Sequence, residues 1–259
     1  MKTMKNRLSL FSGIFLLFLF WFLATLLVGN EILLPGPLAV FRAFGALFTR
    51  TDSLLAIAGT LLRLLSAMAV ALAAGLFLGV LAGLKPGLAR FLSPAVTVLR
   101  TVPVISIVVI VLILAGFEKT PYVITFLMIF PLFFQAVSDG IRNVDPELVD
   151  VYRLEDNRFF SGLWHCYLPL ISDQIKTALL QSAGLGIKVL VMAEYLAQTK
   201  DSIGNRLYLE KVNLQYDMVF AWTLFLILLA VGLEILIHAY ARKKEGISAV
   251  PARKRSRLD

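Results

Sequence analysis

LLSAMAVALAAGLFLGVLAGL, residues 64–84, decides the fold class. It carries no ionisable side chain, and at ~1.5 Å per residue it reaches about 30 Å, the thickness of a bilayer's hydrocarbon core. Ala73, Ala74, Gly75, Gly79, Ala82 and Gly83 leave little side chain on it, which suits close approach of another helix backbone rather than contact with lipid. The segment reads as an inner transmembrane helix.

The rest of the chain has the same character. Of its 259 residues, 59% are hydrophobic and 16% charged, and the mean hydropathy is +0.82. Soluble domains sit nearer ~45–50% apolar and ~25% charged, so this excess needs lipid as its solvent. Five further apolar runs, 8–29, 95–117, 121–137, 175–197 and 219–240, complete an all-α polytopic membrane protein of about six transmembrane helices. The first follows Lys2, Lys5 and Arg7 as the core of a signal peptide would. It is too long for one and lacks a small-residue cleavage site, so it reads as a retained, lipid-facing anchor. The third contains Arg100 and Pro103 near its start, which predicts a kink or a first turn at headgroup level.

The formal charge of +8 is not spread evenly. Lys and Arg gather at the N-terminus, at Lys85 and Arg90, at Arg142, Arg153 and Arg158, and in the tail from Arg242 to Arg257. With six spans all four groups fall on one side. The positive-inside preference makes that side cytoplasmic and puts both termini there. The charge therefore sets orientation in the cell inner membrane and implies no nucleic-acid partner. Residues 1–30 form the tail and first anchor, 31–241 the main membrane domain with a cytoplasmic loop at 139–174, and 242–259 a basic tail. From Lys243 onward the tail is expected to be disordered, with a basic run suited to anionic lipid.

Catalytic motifs are lacking. No GxxxxGK[ST] phosphate loop occurs, His165 and His238 stand far apart without metal-ligand spacing, and Cys166 is the sole cysteine. No metal site is indicated. The informative segment is 139–174. Asp145-Pro146-Glu147 reads as a helix start with an Asp cap, proline at the first position and an acidic first turn. Leu148, Val149, Tyr152 and Leu154 then interleave with Asp150, Arg153 and Glu155 in an amphipathic helix. A second piece, 158–167, carries Phe159, Phe160, Leu163 and Trp164 and is ended by Leu168-Pro169. Two such helices suit either the docking of a soluble partner or the headgroup layer.

This segment resembles the cytoplasmic EAA loop of binding-protein-dependent ABC importer permeases, E-A-A, three residues, G, nine residues, a hydrophobic residue, one more, then L-P. Asp150, Val151 and Tyr152 take the E-A-A positions, Asp156 the glycine, Cys166 the hydrophobic position, and Leu168-Pro169 the L-P. Tyr152 and Asp156 depart from the pattern. Leu34-Pro35-Gly36-Pro37, Gly59-Thr60-Leu61-Leu62-Arg63, Ser93-Pro94 with Arg100, Pro103 and Gly116, Asn143 to Glu147, and Ala193-Glu194 resemble, in order, landmarks of the nitrate, sulfonate and taurine permease group. The resemblance implies a non-catalytic subunit that binds no cofactor itself. A second permease copy, an ABC ATPase that uses the ATP, and an extracytoplasmic solute-binding protein are its implied partners. Glu147, Asp150, Val151, Tyr152, Arg153, Asp156, Leu168 and Pro169 form the implied ATPase-coupling loop. A small anion is the implied cargo.

Lys188 and Glu194 are ionisable residues inside the fifth span, and such groups are costly in hydrocarbon unless paired or hydrated. Both are candidates for the translocation pathway. Six residues, about 600° of helix, separate them, so they do not share a face. Snorkelling of either to water is the structural alternative, and Arg63 reads as a headgroup anchor. Glu234 and His238, four apart, read as a local polar pair. Two other functions fit the same residues: a permease for another ligand class, such as thiamine precursors, and a membrane scaffold that has lost transport.

Overall fold

The computed structural model describes residues 2–155 and 158–248. Twelve α-helices and one π-helical turn occur among them, with no strand. They are α1 (Lys2–Val28), α2 (Pro37–Leu47), α3 (Thr51–Leu84), α4 (Pro86–Thr101), α5 (Val104–Ala115), α6 (Thr120–Arg142), α7 (Pro146–Glu155), α8 (Phe159–Gly162), the π turn Leu163–Tyr167, α9 (Leu168–Leu170), α10 (Ser172–Ala197), α11 (Ile203–Val212) and α12 (Tyr216–Ser248).

The centre of the molecule is α3 against α6, and small residues make it possible. Gly75 backs onto Phe133, Gly79 onto Val137 and Gly83 onto Ile141, so the two helices run parallel with matched spacing of four. A Cβ on Gly79 or Gly83 would lie 2.8 Å from the Cβ of Val137 or Ile141, closer than carbon atoms pack. The role expected of the small residues in 64–84 is the one they have. Helix α10 completes the core in the opposite direction, its Gly186 facing Leu64, Ile129 and Thr125.

α3, α6, α10 and the Tyr216–Ile237 part of α12 are each long and apolar enough to cross a membrane. α3 has 34 residues, about 51 Å at ~1.5 Å each, so it extends beyond the hydrocarbon and starts well before residue 64. The third expected span is not one helix. α4 and α5 meet at a bend of 102°, because Pro103 has no N–H to continue α4 and holds Val102 in an extended conformation (φ −69°, ψ 134°). The break falls at the proline where a kink was expected, but it separates two helices, and α4 begins at Pro86, before the apolar run. Six crossings would therefore require both this bent pair and α1, whose apolar part is described from Phe15 to Val28. Phe15, Leu17, Phe20 and Leu27 are exposed on α1, as a lipid-facing helix requires.

The packing sorts the loops into two ends. The end of α3, the end of α6, Val144 and residues 163–171 cluster through Val80, Val137, Ile141, Leu163, Leu168 and Ile171. At the other end, α2 packs on the start of α12 through Val40, Leu47, Met218 and Trp222. Trp21 of α1 stacks there on Phe220, and Thr199 reaches the carbonyl of Phe117 at 2.9 Å. α2 and α11 lie in stretches expected to be loops. The helix α12 runs to Ser248, past Lys243, where disorder was expected to begin; residues 249–259 of the basic tail lie outside the described residues.

Candidate functional site

The loop between α6 and α10 is a bracket of two short helices. α7 starts as its sequence indicates, with Pro146 in the first turn and the N–H of Glu147 donating to Asp145 Oδ1 at 3.0 Å. The second arm differs from expectation. Leu168-Pro169 does not end it; the chain passes through the π turn into α9 and stops at Ile171. Pro169 has no N–H to give to a carbonyl four residues back, and next to it the N–H of Leu168 donates five residues back, to Leu163. That is the widened ladder of a π turn. Ile171 and Cys166 are buried and Leu168 packs beside them at the helix ends, which fixes this arm to the membrane bundle.

Tyr152, which stands where the resemblance calls for a small residue, braces the two arms. Its hydroxyl lies 2.8 Å from Ser161 Oγ, and its ring lies beside Gly162. Glu147, Asp150 and Val151 are exposed on α7, and Pro169 is exposed on α9. Arg153 lies in α7, with its side chain outside the described residues, as is all of Asp156. Leu148 (51% exposed), Val151 (62%), Leu154 (87%) and Trp164 (66%) give the bracket an uncovered apolar surface.

A second constellation runs along the membrane bundle. Gln174, Thr177, Gln181 and Lys188 are exposed at spacings that keep them on one face of α10. Two open clefts adjoin Gln135 and Asp139 of α6, the first reaching this face of α10 and the second lying between α4 and α6. One, of about 530 Å³, is lined by Arg100, Gln135, Asp139, Gln174, Thr177 and Gln181, among others. The other, of about 840 Å³, takes in Arg90, Ser93, Thr97, Gln135 and Arg142. Among the described residues no carboxylate lies within salt-bridge distance of Lys188 or Arg100. Polar and charged groups on the outside of a membrane helix are costly against lipid, so this face must meet water or protein.

Glu194 is not presented on that face. Its carboxylate is enclosed at the far end of the bundle, where Thr60 Oγ1 donates to it at 2.9–3.0 Å, Arg63 pairs with it at 3.2 Å and the N–H of Gly204 donates at 3.3 Å. Arg63 is no headgroup anchor. It is buried, and it also donates to the carbonyls of Lys200 and Asp201. The sequence hint of this cluster was Glu194, a carboxylate inside an apolar run and in need of a partner; Arg63 stands one residue ahead of the run 64–84. Beside it, Arg206 pairs with Asp52 at 3.2 Å and Arg50 approaches Glu210 at 3.9 Å, which ties α11 to the start of α3. The side chain of His238 lies outside the described residues. No group of three or more His, Cys, Asp or Glu able to hold a metal occurs among the described ones.

A membrane bundle with a braced apolar bracket at one end and a polar face along its side agrees with what comparison of the sequence finds. The chain is 25% identical over 234 residues to the taurine transport system permease protein TauC of Escherichia coli (strain K12), covering 88% of this chain and 85% of that one. It is 24% identical over 174 residues to the putative aliphatic sulfonates transport permease protein SsuC of Bacillus subtilis (strain 168), covering 66% and 63% respectively. Residues 71–246 match the family described as binding-protein-dependent transport system inner membrane component, and with most of its length inside that match the chain belongs to this family of ABC importer permease subunits.

Proposed function

We propose that this permease carries a small anion, a sulfonate being the leading case, and that residues 146–170 are where a separate ATPase drives it. The observation that carries the reading is the bracket. One arm is packed into the ends of α3 and α6, the arms are joined through Tyr152 and Ser161, and Leu148, Val151, Leu154 and Trp164 stay uncovered. A rigid lever with an apolar outer surface is what coupling between a soluble motor and membrane helices needs. On this reading the bracket end is cytoplasmic, with both termini, in line with the basic groups gathered there. The α2–α11 end faces the binding protein.

The polar face of α10, with Lys188, is the wall of the pathway, and a second copy of the chain closes it. A face of this polarity gains nothing from lipid, whereas two copies facing each other would enclose a hydrated route. The anion is favoured by Lys188 and Arg100 on that side and by likeness to permeases named for taurine and for aliphatic sulfonates. The test is ATP-driven uptake of taurine and of ethanesulfonate by the complete importer in proteoliposomes. Uptake that needs both ATP and binding protein supports the proposal. Wild-type vesicles that accumulate neither sulfonate but do accumulate a cation or a neutral solute would reject the anion.

A further inference from the structure

Arg100 has an unusual position for a cation in an apolar span. It lies in the last turn of α4, just before the Val102–Pro103 break, and is exposed. Its Nη1 donates to Oε1 of Gln135 at 2.7 Å. Gln135 stands seven residues before Arg142 on α6, about 10 Å of helix inside the bundle. The guanidinium is therefore held toward the cleft between α4, α6 and α10 rather than extended to the headgroups. Its partner is neutral, so the hydrogen bond orients the charge without cancelling it.

Two neighbouring cations, Arg142 and Lys176, differ. Arg142 has Asp139 at 3.9 Å and the carbonyl of Ala82 at 3.4 Å, and Lys176 has Asp173 at 2.8 Å. Arginine only donates, so Gln135 must turn its carbonyl to Arg100, which leaves its amide N–H₂ as a further donor beside the guanidinium. Thr177 and Gln181 line the same cleft from α10, and its two carboxylates, Asp139 and Asp173, are those that face Arg142 and Lys176. The carbonyl end of α4 favours a cation at this position.

We infer that Arg100, oriented by Gln135, is the anion-recognition point of the pathway and takes a compact oxyanion, such as a sulfonate head group, on its guanidinium and on the Gln135 amide. This rests on the permease reading and narrows it to a residue. A planar guanidinium offers two parallel N–H groups to two oxygens on one centre, which an ammonium at the same place does not. Lys188, farther along α10, then serves as a second, less selective charge on the same face.

The experiment is uptake kinetics of the assembled importer in proteoliposomes, with its ATPase and binding protein, using taurine and ethanesulfonate as probes. Wild type is compared with Arg100→Gln, Arg100→Lys and Gln135→Leu, each first checked for monodisperse elution with the ATPase attached. The expected result is a loss of roughly tenfold or more in uptake efficiency for Arg100→Gln, the size of a lost charge-assisted contact. Arg100→Lys should be intermediate and Gln135→Leu should show a smaller loss of the same kind, seen in KM more than in maximal rate. Uptake within about twofold of wild type for Arg100→Gln, well inside one charged hydrogen bond, would overturn the assignment and leave the permease reading standing. Equal losses for the Gln and Lys variants, seen in maximal rate with KM unchanged, would overturn it in favour of a purely structural arginine. A wild-type importer that moves neither sulfonate would overturn both this assignment and the anion reading beneath it.

Discussion

Arg63 and Glu194, 131 positions apart in the chain, meet at 3.2 Å in the interior of the bundle. Around them Thr60 joins the carboxylate to the N–H of Ile203, and Arg63 ties down the carbonyls of Lys200 and Asp201. Gly59 and Gly204 allow the approach, since a Cβ at either would run into backbone, Asp201 O in one case and Tyr195 N in the other. The cluster locks the turn after α10 to the start of α3 at the end away from the bracket.

Removing one partner leaves a buried charge uncompensated. Arg63→Met or Glu194→Leu should each destabilise the protein by about 3–5 kcal/mol. The double variant should be less destabilised than the sum of the two, because it leaves no orphan charge. Thermal unfolding of the detergent-purified variants checks this. Additive losses would show that the pair is not coupled.

The α3–α6 contact makes an opposite kind of prediction, about added rather than removed atoms. Gly79→Val should cost roughly 1–3 kcal/mol by overpacking, since Val137 lies where the new side chain must go. Gly87→Ala, at the start of α4 with nothing within 4 Å of the added methyl, is the control and should be close to neutral. Unfolding temperatures that fall equally for both would contradict the packing described.

Glu210 on α11 links stability to pH. Burial pushes its carboxyl above the usual carboxylate range, partly opposed by Arg50 and Arg206 and reinforced by Asp217. The folded state therefore holds this proton more tightly than the unfolded chain, so its contribution to stability is present below the ordinary glutamate range and is lost as pH rises through the folded value. Wild type should lose stability relative to Glu210→Gln as pH is raised from about 4 to neutrality. The opposite slope in paired melting curves would mean that the ion pair with Arg50 outweighs burial.

At the bracket, Tyr152→Phe removes the 2.8 Å contact to Ser161 while keeping the ring. The arms should loosen without dissociating: binding-protein-stimulated ATP hydrolysis falls several-fold, as about 1 kcal/mol of lost hydrogen bond would give, while the ATPase stays bound. Stimulation at the wild-type level would show that the brace plays no part in coupling.

Much of this was legible in the sequence because it is written locally. The Gly and Ala residues of 64–84 report close packing whatever the partner, and Asp145-Pro146-Glu147 starts a helix by its own geometry. Pro103 announced a break, but how far the chain turns depends on what α4 packs against, namely Ala82 and Phe134. The pairing of Arg63 with Glu194 was not legible, since Glu194 shows only that it needs a partner and Arg63, just ahead of an apolar run, has the place of a headgroup anchor. α2 and α11 were missed because they are short. Even so, Pro37 after Gly36 and Ser202 as a cap, its Oγ accepting from the N–H of Asn205 at 3.0 Å, were available signals. Tyr152 reads as a departure when only its neighbours in sequence are known, and as a brace once Ser161 is beside it.

The most direct test of the account is co-purification of the tagged chain with its ATPase from detergent, comparing wild type with Val151→Glu combined with Leu154→Glu. Both residues are more than half exposed, so the variant should fold and elute as wild type does. The account predicts an ATPase bound to wild type and absent from the variant. An ATPase retained by the folded variant, or never found with wild type, would contradict the bracket as the site of coupling.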